Sequence, residues 1–268
     1  MSLMKRVDQA RDAYRRGDRG ASADAHAAGR IARAAVEEHG EPSHQYIGDL
    51  VYGGLDGIVT TFAVVSGVAG ADLSSNIVLI LGLANLFADG FSMATGAYLS
   101  SKSELEYYHR EREREAWEVD HYPEGEKAEL FEVYRARGYS EDDARQLVEI
   151  QSKEKERWVD AMMIDELGLL PDEKNPLTSA LATFLAFVAA GSVPLLLYLL
   201  GLFFPVPASF AFPASIGLSA LALFGLGAAK VLVTEKNLVR SGLEMLVVGG
   251  MASVVAYIVG ALLKGVGG

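Results

Sequence analysis

Long apolar runs alternate with strongly polar ones along this chain. Residues 1–46 are polar and rich in Ala and Arg. Two apolar runs follow, Ile47 to Ala71 and Asn76 to Leu99, and then a highly charged stretch, 100–175. Three more apolar runs cover Leu177 to Leu200, Phe212 to Val233 and Gly242 to Leu263. A helix of about 20 residues crosses the hydrocarbon core of a bilayer, and each run is long enough. The pattern predicts an all-α membrane protein of five transmembrane helices, with a helical insert between spans two and three. Its parts are an N-terminal arm (1–46), spans one and two (47–99), the insert (100–175) and spans three to five (176–268).

Within the arm, Ile31, Ala34, Ala35 and Val36 have the spacing of a short amphipathic helix. Within the insert, Ser101 to His121 reads as a helix continuing straight out of the second span. Pro123 fits the first turn of a second helix, ended by Gly138. Ser140 and Asp143 resemble a capping box that opens a third, running to about Leu167 before Gly168 and Pro171. Pro194 falls inside the third span, where neighbours must satisfy the carbonyl it frees. Gly53 and Gly57 form a small-xxx-small pair that permits close helix packing.

Composition and charge add orientation. The 268 residues are 50% hydrophobic and contain no cysteine, which excludes disulfides and thiolate metal sites. Met1 to Arg19 is charged throughout and lacks the apolar core of a signal peptide. The net charge of −11 argues against nucleic acid as a partner. Nearly all of that charge lies in the insert, where 16 Glu and 6 Asp face 12 Lys and Arg. Of 24 basic residues, 23 fall in the arm, the insert and the link between spans four and five, including Lys230, Lys236 and Arg240; only Lys264 lies elsewhere. The positive-inside rule then places arm and insert in the cytosol and the C-terminus outside.

The candidate chemistry is carboxylate and thioether. Glu115 and Glu118 share a face of the first insert helix, and Glu126 and Glu129 repeat that spacing on the second. On the third, Met162 and Glu166 are four apart, with Met163 adjacent. Converging carboxylates repel unless cations bind between them, and a methionine sulfur favours transition metals. The competing reading is a solvated, salt-bridged helix surface, with the methionines as core. In the spans, an ionisable residue is expensive and marks function. Asp56 lies mid-span in Tyr-Gly-Gly-Leu-Asp-Gly, and Met93 in Asp-Gly-Phe-Ser-Met-Ala; together they are candidates for a transient metal site. Asp49 and Asp89 are weaker candidates. Lys230, Glu235, Arg240 and Glu244 sit near span ends, where pairing suffices. Glu106 to His109 and Glu118 to His121 both read Glu-x-x-His, the signature of di-iron bundles. They lie on one predicted helix about 18 Å apart and cannot share a metal pair within one subunit. His26, His39 and His44 of the arm fit no defined metal-site spacing.

Asp-Gly-Ile-Val-Thr-Thr-Phe-Ala-Val-Val-Ser-Gly in span one, Asp-Gly-Phe-Ser-Met-Ala in span two and the insert after it resemble the vacuolar iron transporter family. The resemblance covers about residues 45–265. It implies a homodimer in a lipid bilayer that moves Fe2+, often Mn2+ as well, out of the cytosol in exchange for protons. It implies a pathway through Asp56 and Met93. It also implies a metal-binding domain using Glu115, Glu118, Glu126, Glu129, Met162, Glu166 and the adjacent Met163. The metal is substrate, with no permanent cofactor. The polar arm departs from the shortest family members. The membrane is expected to be a prokaryotic plasma membrane, or a vacuole in a eukaryote. Two alternatives remain: a membrane-anchored di-iron ferroxidase, and a metal-binding scaffold that transports nothing.

Overall fold

The computed structural model describes residues 3–29, 46–171, 174–234 and 237–265. All secondary structure among the described residues is helical. The chain divides into two compact units, residues 1–47 and 48–268.

The first unit contains α1 (Leu3–Arg16) and α2 (Arg19–Ala25). Asp18 caps α2, its Oδ1 accepting from the Ala21 N–H at 3.0 Å. Ala13 and Ala25 are the buried residues of the pair. The sequence pattern predicts no helix here, but an Ala- and Arg-rich segment has high intrinsic helix propensity. The amphipathic helix expected around Ile31 to Val36, and His39 and His44, lie outside the described residues. His26 ends α2, its Nδ1 2.8 Å from the Ser22 carbonyl oxygen.

The second unit opens with α3 (Ile47–Gly70), followed after a short turn by α4 (Ser75–His121). α4 runs unbroken for 47 residues, from the apolar part into the insert as expected. The insert continues with α5 (Pro123–Ala136), α6 (Glu141–Gln151), α7 (Lys155–Ala161) and a π-helical turn at Met162–Glu166. Pro123 occupies the first turn of α5, and Gly138 ends the segment at φ 94°. Ser140 caps α6 through the Asp143 N–H.

The expected single third insert helix is instead two helices and a π turn. Glu154 takes an extended conformation, φ −135° and ψ 127°, and breaks the segment between α6 and α7. The break lets Ala144 and Val148 of α6 and Trp158, Val159, Met162 and Met163 beyond it enter one core with Val119, Leu130 and Tyr134. A straight helix of that length would carry half of this set away from α4 and α5.

After the insert come α8 (Pro176–Gly191), α9 (Leu196–Leu200), α10 (Ala208–Thr234) and α11 (Leu238–Leu262). Among the described residues, four helices are long and apolar enough to cross a membrane: α3, α4, α10 and α11. The third expected span differs, being a 16-residue helix, a turn and a five-residue helix. The cause is Pro194, which lacks the N–H that would bond the Ala190 carbonyl. Val193 donates to that carbonyl instead, at 3.1 Å, and the buried Ser215 hydroxyl donates to the Pro194 carbonyl at 2.7 Å.

α3 is central to the apolar layer. A Cβ at Gly57 would lie 2.4 Å from the Phe187 carbonyl oxygen, and one at Gly53 2.6 Å from that of Thr183, so α3 touches the α8 backbone. Towards its other end a Cβ at Gly260 of α11 would lie 2.0 Å from the Gly67 carbonyl oxygen. The Gly53/Gly57 pair therefore seats this chain's own third apolar segment. Phe62, Val65, Leu86, Phe187 and Leu195 fill the core between α3, α4 and α8–α9. Lys264 pairs with Asp72 at 2.8 Å, tying the end of α11 to the end of α3.

Candidate metal centre

Three carboxylates converge in the insert. Oxygens of Glu115 and Glu118 on α4 and Glu126 on α5 all lie within 4.8 Å of one another. The i, i+3 spacing on α4 and the packing of α5 across it bring them together. Glu115 is 1% exposed and Glu126 4%, among the few charged side chains so deeply buried in the described residues. Glu126 Oε2 is enclosed and has no hydrogen-bond partner. Burial of such an oxygen is costly unless something satisfies it.

The electrostatics follow from crowding. Desolvation, then the charges of Glu115, Glu129 and Glu118, push the Glu126 carboxyl up to about 8. Glu115 is itself raised, by burial first, against the opposing pull of Arg114. Glu166 is pushed up to about 7 by desolvation and by Glu115, Glu129 and Glu118. Glu129 and Glu166 are exposed at the rim, within electrostatic reach of the three. Met162 and Met163 are fully buried in the insert core.

Arg114 was not among the expected site residues. Its guanidinium donates to Glu115 at 2.5 Å, to Glu111 at 3.0 Å and to Glu118. Its position four before Glu118 is a standard ion-pair spacing and was legible as such. Asp165, beside Glu166, accepts from Tyr134 Oη at 3.2 Å and from Arg137, so α5 pins the π turn. The Leu167 N–H bonds the Met162 carbonyl at 3.1 Å, the i+5 pattern of that turn.

In the apolar layer Asp56 and Met93 are both half-buried, on α3 and α4. A cavity of about 460 Å3 is lined by Met93, Asp49, Ser100, Glu104, Ser179 and Thr183 among others. Ser179 Oγ donates to Asp49 Oδ2 at 2.7 Å. Asp56 does not line this cavity. Glu104, absent from the sequence candidates, joins it only because α4 is continuous past Leu99. The two Glu-x-x-His pairs sit on α4 as foreseen; His121 stacks on Trp117, and its Nδ1 lies 2.8 Å from the Trp117 carbonyl oxygen.

Residues 47–261 match the family model described as the VIT family. A Toxoplasma gondii protein named vacuolar iron transporter is 40% identical over 96% of this chain and 88% of its own length. A Plasmodium berghei protein of the same name is 34% identical over 98% of both chains. Arabidopsis thaliana vacuolar iron transporter 1 is 38% identical over 80% of this chain and 84% of its own. The alignments to the first two extend through most of the polar arm. Relatives named as transporters set aside the enzymatic reading. The apolar helices, the charged insert and its buried glutamates thus belong to a recognised family: this chain is a member of the VIT family.

Proposed function

We propose that the protein exports ferrous iron, and manganese as well, from the cytosol in exchange for protons. The observation that carries this reading is the buried Glu115–Glu118–Glu126 cluster with its orphaned Glu126 oxygen. A divalent cation would supply both the missing partner and the positive charge that Arg114 alone does not. Glu129, Glu166 and the thioethers of Met162 and Met163 complete a donor set that favours a transition metal over magnesium or calcium. The names of the relatives support iron. The rise of Glu126 and Glu166 towards neutrality supports proton exchange, because metal and proton compete for the same oxygens.

Five crossings are part of the proposal. Residues 176–200 span about 37 Å if helical throughout, enough to cross with a break at Pro194. The basic-residue bias places arm and insert in the cytosol and the C-terminus outside. The insert collects metal and passes it to Asp56 and Met93 in a homodimer. The membrane is the plasma membrane in a prokaryotic source and the vacuolar membrane in a eukaryotic one.

Full-length protein in proteoliposomes tests this. Fe2+ movement should require Asp56 and respond to an imposed pH gradient. An Asp56→Ala variant that transports fully would sink the pathway, and a wild-type protein that binds metal but moves none would establish the scaffold reading instead.

A further inference from the structure

The insert is strongly acidic, and most of its cations are taken up by that acid. Arg110, Arg112, Arg114, Arg137, Lys155 and Arg157 each hold a carboxylate. Arg145 and Lys153 hold none among the described residues, although carboxylates are close in sequence. Glu141, Asp142 and Glu149 lie three or four residues from Arg145, and Glu149 lies four before Lys153.

Both unpaired cations border one groove. A cavity of about 660 Å3 between α5 and α6 is lined by Lys127, Phe131, Arg145, Val148, Glu149 and Lys153 among others. The Arg145 guanidinium lies over the Phe131 ring, 5.2 Å from its centroid. That stacking positions the guanidinium without using its N–H donors. On the α5 wall, Lys127 Nζ is 3.1 Å from Glu124 and 5.9 Å from the Trp158 ring centroid. Trp158 is 5% exposed, and its Nε1–H is enclosed with no hydrogen-bond partner among the described residues. With Glu124 engaged by Lys127, Glu149 alone opposes Arg145 and Lys153, and the groove is cationic within an acidic domain.

Position decides which anions can reach it. α4 extends about 33 Å from Leu99 to His121, and Lys155 pairs with Asp120 at that far tip, at 2.5 Å. Lys153 and the first turns of α5 therefore lie well beyond the end of the apolar run, out of reach of lipid headgroups. The volume is that of a small-molecule site.

We propose that this groove binds the phosphate group of a small soluble molecule, with Arg145 forking two phosphate oxygens and Lys153 and Lys127 adding point charges. α5 then separates two sites of opposite sign, the glutamate cluster with Glu126 and the cationic groove with Lys127. The inference does not rest on the transport reading.

The test is calorimetric titration of metal-free, full-length protein in detergent at 0.15 M salt with orthophosphate, pyrophosphate and ATP. One equivalent of ATP or pyrophosphate should bind, and Arg145→Gln and Lys153→Gln should each weaken it about tenfold or more. Arg157→Gln removes an equal charge outside the groove and should bind as wild type, with unfolding temperature unchanged in all three variants. Orthophosphate binding as tightly as ATP supports a site for phosphate alone, and ATP binding far more tightly supports one for a nucleotide. No binding of any of the three at millimolar concentration overturns the inference. Equal weakening in all three variants reduces the effect to net charge and overturns it as well.

Discussion

At Glu126, burial and three neighbouring carboxylates all act in one direction, holding the proton up to about pH 8 against an ordinary value of 4.5. Two consequences have opposite signs. Without metal, the folded insert keeps a proton that the unfolded chain loses near pH 4.5, so its stability is full below that value and falls as pH rises towards 8. With metal present, removal of that proton favours binding. Calorimetry on the full-length protein in buffers of differing ionisation enthalpy should show affinity rising from pH 6 to 8 with proton release. A flat profile without proton release would contradict the ligand role of Glu126. Arg114 makes a separate prediction. Its guanidinium is a fixed cation against Glu115 and Glu118, so Arg114→Gln should tighten metal binding at pH 8 by about fivefold or more, on Coulombic grounds. The glutamate pairs were legible from i, i+3 spacing alone. What spacing could not supply was depth: Glu126 and Glu129 read alike, yet one is buried and the other lies at the rim. That difference depends on which side of α5 meets α4 and the π turn, which is a property of the packed insert.

Among the helices, α3 shows a sequence motif whose meaning was legible while its partner was not. Gly53 and Gly57 permit close approach, and the helix they approach is α8 of the same chain. A side chain at Gly57 must displace backbone, so Gly57→Val should lower stability by about 1–3 kcal/mol, read as a fall in thermal unfolding temperature in detergent. Ser215 is the partner that the interruption at Pro194 requires. Ser215→Ala leaves a buried carbonyl without its donor and should cost about 1–3 kcal/mol in the same assay. The proline was visible in the sequence, and so was the need for a partner. The identity of Ser215, 21 residues away, was not, because it depends on where α10 returns. The break at Glu154 was equally hidden: nothing in Ser152 to Glu154 stops a helix, and the bend follows from what α7 must cover.

At the scale of the molecule, the absence of cysteine from the sequence makes topology directly measurable. A single cysteine at Lys153 should react with an impermeant maleimide only from the cytosolic side, and one at Ser74 only from the opposite side. Labelling of both from one side would reject the orientation argued from basic residues. The five apolar runs and the insert were legible because their signal is summed over twenty or more residues. The split third run needed coordinates, since hydropathy averages across a turn. One mechanical property belongs to α4 as a whole. Met93 and Glu115 stand about 33 Å apart along its axis, with no hinge between them. The helix is a stiff lever: a tilt of about 5° at the membrane swings Glu115 and Glu118 by about 3 Å, more than the roughly 2 Å length of a metal–oxygen bond. On the proposed transport reading, a rocking of α4 at Met93 would therefore swing the whole insert, whose core packs α5 onto α4, and so move the glutamate cluster as one body relative to the membrane.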